Sequence, residues 1–513
     1  MMAKHLKRLA TLIVVMGPAA VHAQSGSGTS AATNPSPPMA LSLSEALRLA
    51  TGASESIAIA RAGEQRARGQ QAQARSTLMP QLGTTLNWQK TLQNQFAAIS
   101  KKSSSGSTST PKDTSSAASA TSSITRIFAS EYTTTFGLTA SQPLYTGGRA
   151  TANIKAATLG RESAEIGITA AQAQVQLDVT QAYYDALLSD RLLTISDSSV
   201  VQAERTLRQV QLTRNVGSAS EFELIRARVT RDNQRPAWLQ ARTTRELAYV
   251  RLRQLLNISE ARSLALTDSI VETTATPAPI TTGPITTINV NATEVLSIDP
   301  AVQARIARTL GAVDTTVSVR APVRQALKGV EVAQQQLRAS RASRLPSISA
   351  VSTYQRLAYP TNVLPRSLGD FFPNWTMGVG LSYPFFTGGR VKGDILIAEA
   401  SVVEAQQRLR LAQEGAALDA RASSAKLTEA EAAWQASIGT AEQAQRAYEI
   451  AEVRFREGIS TQLELSETRV QLQRALANRA RAARDLQIAR KRLELLRDLP
   501  LSSGSNTSTG FTP

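Results

Sequence analysis

The sequence predicts an α+β membrane protein built by internal duplication. Three observations carry this: a motif that occurs twice, period-two strands ahead of it, and long Pro-free helices behind it. The stretch "FGLTASQPLYTGGR" (136–149) returns as "MGVGLSYPFFTGGR" (377–390), 241 positions later. At that offset Pro143 aligns with Pro384, Gly147-Gly148 with Gly388-Gly389, Asp178 with Asp419, Gly217 with Gly458, Glu223 with Glu464 and Arg228 with Arg469, without a gap. A register held from Gly137 to Val229 marks two copies of one structural unit. Upstream, "ARSTLMPQL" (74–82) matches "SRASRLPSI" (340–348) at an offset of 266, so the first copy carries 25 extra residues between Pro80 and Pro143.

Residues 1–23 have a basic start (Lys4, Lys7, Arg8), an apolar core from Leu9 to Met16 and a small-residue end at Ala23, the pattern of a secretory signal peptide cleaved before Gln24. The exported chain has no Cys, and both His, His5 and His22, lie in the signal segment. Thiolate and imidazole nucleophiles and the common zinc sites are thereby excluded, and no pair of acids sits outside helical surfaces. We therefore expect no enzyme, no cofactor and no metal. The formal charge of +17 falls to +14 without the three signal cations; Arg spread along helices with little aromatic interleaving argues against a nucleic-acid partner.

Repeat 1 is read as 24–258, with strands at about 78–92 and 130–145 and a helix hairpin over 149–258. In its second strand Tyr132, Phe136, Leu138 and Ala140 alternate with Thr133, Thr135, Gly137, Thr139 and Ser141. Repeat 2 is read as 321–498, with strands at about 345–356 and 374–386 and a hairpin over 390–498. Here Trp375, Met377, Val379, Leu381 and Tyr383 alternate with Thr376, Gly378, Gly380 and Ser382. An apolar face opposite a small, neutral one suits a barrel with lipid outside and a lumen inside, and Trp88, Tyr132, Trp375 and Tyr383 suit a membrane aromatic belt. Four strands cannot close a barrel, since about eight are needed, so the barrel must be shared between subunits. The Ser/Thr-rich tract at 100–123 reads as a solvent-exposed loop, 259–320 as an inter-repeat segment, and 499–513 as a flexible tail.

Behind each Thr-Gly-Gly-Arg the sequence has no Pro from 149 to 215 or from 390 to 457, enough for helices about 100 Å long. Leu465, Leu472, Leu476, Ala483, Leu486, Leu493 and Leu496 recur in steps of seven, four and three, a coiled-coil-like seam. Pro236 stands where the second copy has Ala477, which predicts a local kink. Helices alone would equally suit a periplasmic coiled-coil scaffold without a pore; the signal peptide and the strands shift the reading toward a channel.

The order of these features, with the hairpin tips "RNVGSASEFELIRARV" and "REGISTQLELSETRV", resembles the TolC-like outer membrane efflux protein family over nearly the whole mature chain. The resemblance implies a homotrimer whose 12-stranded β-barrel, four strands per subunit, lies in outer membrane lipid and continues as a periplasmic α-helical coiled-coil barrel. It implies an exit duct of a tripartite efflux or type I secretion system, passively conducting substrates delivered by a periplasmic adaptor protein and an inner-membrane transporter. By the same resemblance Gly217 and Gly458 are the hairpin-tip turns and adaptor contacts. Glu223, Glu464 and Glu467 line the periplasmic aperture and set ion selectivity. Pro143, Gly147, Gly148, Pro384, Gly388 and Gly389 form the barrel-to-helix transitions. The chain departs from the pattern at Phe455, where a Tyr can lock the closed state, and at Ser460, where an Arg can.

Overall fold

The structure is a computed structural model, and it describes residues 39–92, 131–218, 220–259, 262, 264–270, 300–311, 316–360, 363 and 371–501. The signal segment and the Ser/Thr tract at 100–123 lie outside the described residues.

Each repeat begins with a helix that the sequence reading missed. In the first, α1 (Leu43–Ala53) and α2 (Glu55–Ser76) precede β2 (Gln81–Lys90) and β3 (Tyr132–Tyr145). In the second, α6 (Ala321–Ala342) precedes β5 (Ser347–Ala358) and β6 (Phe371–Ser382). Helices α2 and α6 have the same length and lie at the 266-residue offset. They are Ala/Gln/Arg-rich segments whose weak apolar pattern hid them. A short helix, α5 (Pro300–Gly311), lies between the repeats.

The long helices follow: α3 (Arg149–Asn215) and α4 (Glu221–Leu256) in repeat 1, α7 (Arg390–Arg456) and α8 (Gln462–Glu494) in repeat 2. Both α3 and α7 contain 67 residues. Helix α4 continues through Pro236, whose ring removes the N–H that the Asp232 carbonyl would otherwise accept. The seam read from Leu465 to Leu496 is buried apart from Leu476, which packs partly buried.

The four long strands form one antiparallel sheet in the order β2-β3-β5-β6, so β3 and β5 join the repeats and β2 and β6 are its two edges. The register sets Thr84, Leu138, Tyr354 and Trp375 in one row, and Leu82, Ala140, Ser352 and Met377 in the next on that face. Directly paired residues share a face, so apolar side chains of all four strands gather on one side. That face is open: Met377 is 80 % exposed, and Leu82, Leu86, Trp375, Val379 and Leu381 are likewise exposed. The other face carries Thr85, Gly137, Gln355 and Asn374 in one row.

The two second strands differ at their ends. β3 runs through Pro143, where the register with β5 shifts between Pro143 and Tyr145. β6 stops at Ser382, short of the 386 read from sequence, so Pro384 lies outside the strand. Pro lacks a ladder donor and is tolerated at a bulge, which β3 forms against β5, whereas edge strand β6 simply ends. A second, two-stranded parallel sheet joins β1 (Met39–Leu41), just ahead of α1, to β4 (Leu264–Leu266) in the inter-repeat segment.

The main core lies midway along the bundle, where Leu41, Ala46, Ala50 and Ile57 meet Val175, Val179 and Tyr183, together with Leu252 and Leu256 of α4, Leu427 and Trp434 of α7, and Leu486 and Leu493 of α8. The Tyr183 hydroxyl donates to the Leu41 carbonyl at 3.0 Å and bonds Asp268 at 2.9 Å, tying β1 and β4 to α3. Among the described residues no helix is long and apolar enough to cross a membrane.

Candidate functional site

The hairpin tips are built from the same local rules in both repeats. Helix α3 ends as Gly217 takes φ +81° and donates its N–H to the Arg214 carbonyl, while Ser218 N–H reaches Thr213. Helix α7 ends with Gly458 at φ +72° and Ile459 N–H on the Arg454 carbonyl. A left-handed glycine closes a helix C-terminus without the Cβ penalty. The return helices are then capped: Ser220 Oγ accepts from Glu223 N, and Thr461 Oγ1 from Glu464 N, each at 3.3 Å.

Two of the three acids picked out by the sequence therefore occupy the third position of capping boxes, S-E-F-E and T-Q-L-E, a local signal legible in the sequence but missed. Glu464 is also 3.4 Å from Arg454 across its own tip, and Arg214 pairs with Glu221 across the other. Glu467 lies a turn further along α8, exposed, with no cationic partner among the described residues.

The two tips are bolted together by apolar contact. Phe455 packs both on Leu207, Val210 and Leu224 of the first hairpin and on Tyr448, Leu465 and Leu472 of the second. Beneath it, Gln462 and Arg469 are buried, lining a small gap with Ala203, Thr206, Ala227 and Thr230. Burial pushes the Arg469 guanidinium below its ordinary pKa, only partly offset by Tyr448. Its counterpart in the first repeat, Arg228, is exposed.

At the other end of the long helices, Gly147 and Gly148 have φ of +63° and +87°, and Gly388 and Gly389 of +58° and +87°. Gly148 and Gly389 are the N-cap positions of α3 and α7. A Cβ on Gly147 would stand 2.7 Å from Leu345 Cβ and 3.0 Å from the Ala342 carbonyl, whereas one on Gly388 meets open space. Of the four aromatic residues, Trp88 and Tyr132 stack at the end of the sheet away from the helices, with ring centroids 5.8 Å apart. Trp375 sits within β6 opposite Tyr354 and bonds Ser352 Oγ at 3.0 Å, and Tyr383 lies exposed just past that strand, at the helical end.

With this architecture in view, a family model described as "Outer membrane efflux protein" matches residues 46–258 and 315–497. The chain belongs to the outer membrane efflux protein family. It is an efflux-system channel of the outer membrane, and the matched segments take in both hairpins and all four strands of the large sheet. Among solved structures, the Campylobacter jejuni CmeC outer membrane channel aligns with a TM-score of 0.67 at 16 % identity, covering 90 % of this chain and 87 % of that one. The Vibrio cholerae outer membrane protein VceC aligns with a TM-score of 0.64 at 17 % identity, covering 88 % and 95 %. The Neisseria gonorrhoeae MtrE outer membrane channel, in its open state, aligns with a TM-score of 0.62 at 17 % identity, covering 90 % and 89 %. At such identities the likeness is one of fold. No curated protein matches the chain in sequence.

Proposed function

We propose that this efflux protein is a passive exit duct: a homotrimer whose three sheets close into one 12-stranded outer membrane barrel, continued into the periplasm by the helices. A signal peptide at 1–23 exports it. A periplasmic adaptor protein contacts the tips around Gly217 and Gly458, and an inner-membrane transporter supplies substrate and energy. The observation that carries this reading is the sheet itself, with an exposed apolar face in register across four strands and two edges unpaired among the described residues. Strands of 10 to 14 residues are long enough to span the hydrocarbon core when tilted. Unpaired edges in that setting must find partners, because lipid offers no hydrogen bonds.

The open space at Gly388 supports the ring. Within the chain, Leu345 at the end of α6 grips Gly147. The residue matching Leu345 in the first repeat is Met79, which is 58 % exposed. In a closed ring Met79 of the next subunit takes the place at Gly388 that Leu345 takes at Gly147.

In the aperture, Glu467 is the carboxylate free to form a ring of three, while Glu223 and Glu464 lie in the first turns of their helices, Glu464 with Arg454 beside it. The test is single-channel recording in planar bilayers. Wild type conducts with cation preference, Glu467→Gln reduces that preference clearly, and Glu464→Gln reduces it less. A chain that stays soluble without detergent and carries no current sinks the duct and favours a periplasmic scaffold. Unchanged reversal potentials in a salt gradient reject the ring alone.

A further inference from the structure

Where the sheet meets the helices there is an open groove of about 710 Å³, lined by Gly147, by Arg338, Arg341, Arg344 and Leu345 at the end of α6, and by Lys392, Leu396 and Glu399 at the start of α7. Arg341 is held by Glu399 at 2.9 Å. Arg338, Arg344 and Lys392 are exposed and have no carboxylate partner among the described residues. Three cations thus face one groove uncompensated, beside the exposed apolar side chains of Leu345 and Leu396.

Helix chemistry explains only part of this. Arg338, Arg341 and Arg344 lie at the C-terminal end of α6, where cations complement the helix dipole. Lys392 lies in the first turn of α7, which contains no acid, and there the dipole opposes a cation. The duplicated unit does not explain it either. At the matching positions repeat 1 has Ala72 for Arg338, Leu78 for Arg344, Thr151 for Lys392 and Thr158 for Glu399. The groove's charge is an addition to the second repeat.

Its place in the molecule suggests what neutralises it. Phe385, 91 % exposed, and Phe386 stand just before the Thr-Gly-Gly that leads into α7, and Leu144 and Tyr145 lie exposed just ahead of Gly147. Aromatic and apolar residues followed within a few positions by cations are the composition of a membrane–water boundary, where basic clusters attract anionic lipid headgroups. We propose that this groove binds the headgroup phosphate of an anionic glycerophospholipid in the periplasm-facing leaflet. The cations of Arg338, Arg344 and Lys392 take the phosphate, and Leu345 and Leu396 lie against the acyl chains. A neighbouring copy is the poorer occupant, because the matching end of its α2 bears Arg68 and Arg75 and so offers no complementary charge.

The inference rests on the sheet lying in a membrane, and its test separates the two. The full-length protein is purified in non-ionic detergent, stripped of lipid and titrated with phosphatidylglycerol or phosphatidylcholine, with bound lipid counted by native mass spectrometry. Wild type should prefer phosphatidylglycerol by at least fivefold. Each of Arg338→Gln, Arg344→Gln and Lys392→Gln should weaken phosphatidylglycerol binding about fivefold and leave phosphatidylcholine unchanged. Arg344→Lys should retain most of the binding, and the paired surface cations Arg408 and Arg410, changed to Gln, should have no effect. Equal affinity for the two lipids, or loss by none of the three substitutions, overturns the site. Full displacement by a tenfold excess of inorganic phosphate overturns the lipid and leaves a free-phosphate site. A chain that conducts in planar bilayers yet shows no lipid preference loses the headgroup site and keeps the duct; one that neither conducts nor needs detergent loses both.

Discussion

In the second repeat Asp419 is buried on α7 and held from two sides, by Arg320 at 2.6 Å and Arg492 at 3.2 Å. Arg320 and Asp419 side chains are only 1 % and 5 % exposed, and the guanidinium also donates to the carbonyls of Ala416 and Leu496. The equivalent carboxylate in the first repeat, Asp178, has Gln174 at 2.8 Å, and the residue matching Arg320 is Ser54, which caps nothing with its side chain. Burial raises the Asp178 carboxyl above its ordinary range, with Gln174 and then Arg251 opposing. Both repeats must fasten the start of a 22-residue helix to the middle of a 67-residue one. The second does so with a buried ion cluster. The first does so with a layer of apolar side chains: Ala46, Ala50 and Ile57 against Val175 and Val179. Equal geometry can thus rest on unequal chemistry, and the two fastenings should fail under different insults.

The largest expected effect is Arg320→Ala, which takes from a buried carboxylate the closer of its two cations and leaves two carbonyls without this donor, and should cost about 3–5 kcal/mol. Its counterpart Ser54→Ala should stay within about 0.5 kcal/mol. Thermal midpoints of the assembled protein compare them, and similar losses would erase the asymmetry. Next, Ala477→Pro in α8 should cost about 3 kcal/mol by breaking a helical hydrogen bond, while Pro236→Ala in α4 should add about 1 kcal/mol. A destabilising Pro236→Ala would mean that α4 needs the proline itself.

A third pair sharpens the ring. Gly147→Ala and Gly388→Ala both force an L-residue into the left-handed region at about 1–2 kcal/mol, and Gly147→Ala adds the collision with α6. In chains dissociated by detergent the first should cost more. In the trimer the costs should converge, because Met79 then stands at Gly388, and a persistent gap breaks the proposed ring. The smallest effect concerns pH. A carboxyl whose folded pKa is raised contributes stability that is fully present below its unfolded value and is lost as pH rises through the folded value. Asp178→Asn should therefore raise the thermal midpoint at pH 7 and leave it unchanged below the ordinary value of 3.8. Asp419→Asn should lower it at pH 7.

Much of the architecture was legible because it rests on period and repetition. Alternation over 375–383 found β6, and the Pro-free runs found α3 and α7, since those patterns are set by the division of a strand into an apolar and a polar face and by the packing of one long helix on another. Helices α2 and α6 escaped because Arg and Gln along them dilute the apolar stripe, and β1 and β4 because three-residue strands have no period. At the tips, Gly217 and Gly458 could be read from their special backbone need. The helix starts at Glu223 and Glu464 were written three residues behind them, in the capping hydroxyls of Ser220 and Thr461. Phe455 stood out only as a departure from the family pattern; its packing role could not be read, because that role lies in touching two hairpins that meet only in space.

The order β2-β3-β5-β6 also bears on history. The ladder between β3 and β5 joins one repeat to the next inside a chain, and the proposed ladder between β6 and the following subunit's β2 joins repeats across chains. In the proposed trimer those seams alternate around a ring of six similar parts, of which only every second pair is covalently linked. The covalent link between repeats is then a convenience of synthesis, and two separately expressed halves, divided between β4 and α5, should find each other and rebuild the same ring. Ancestral single-unit chains, six to a pore, are the simplest precursor of such a molecule.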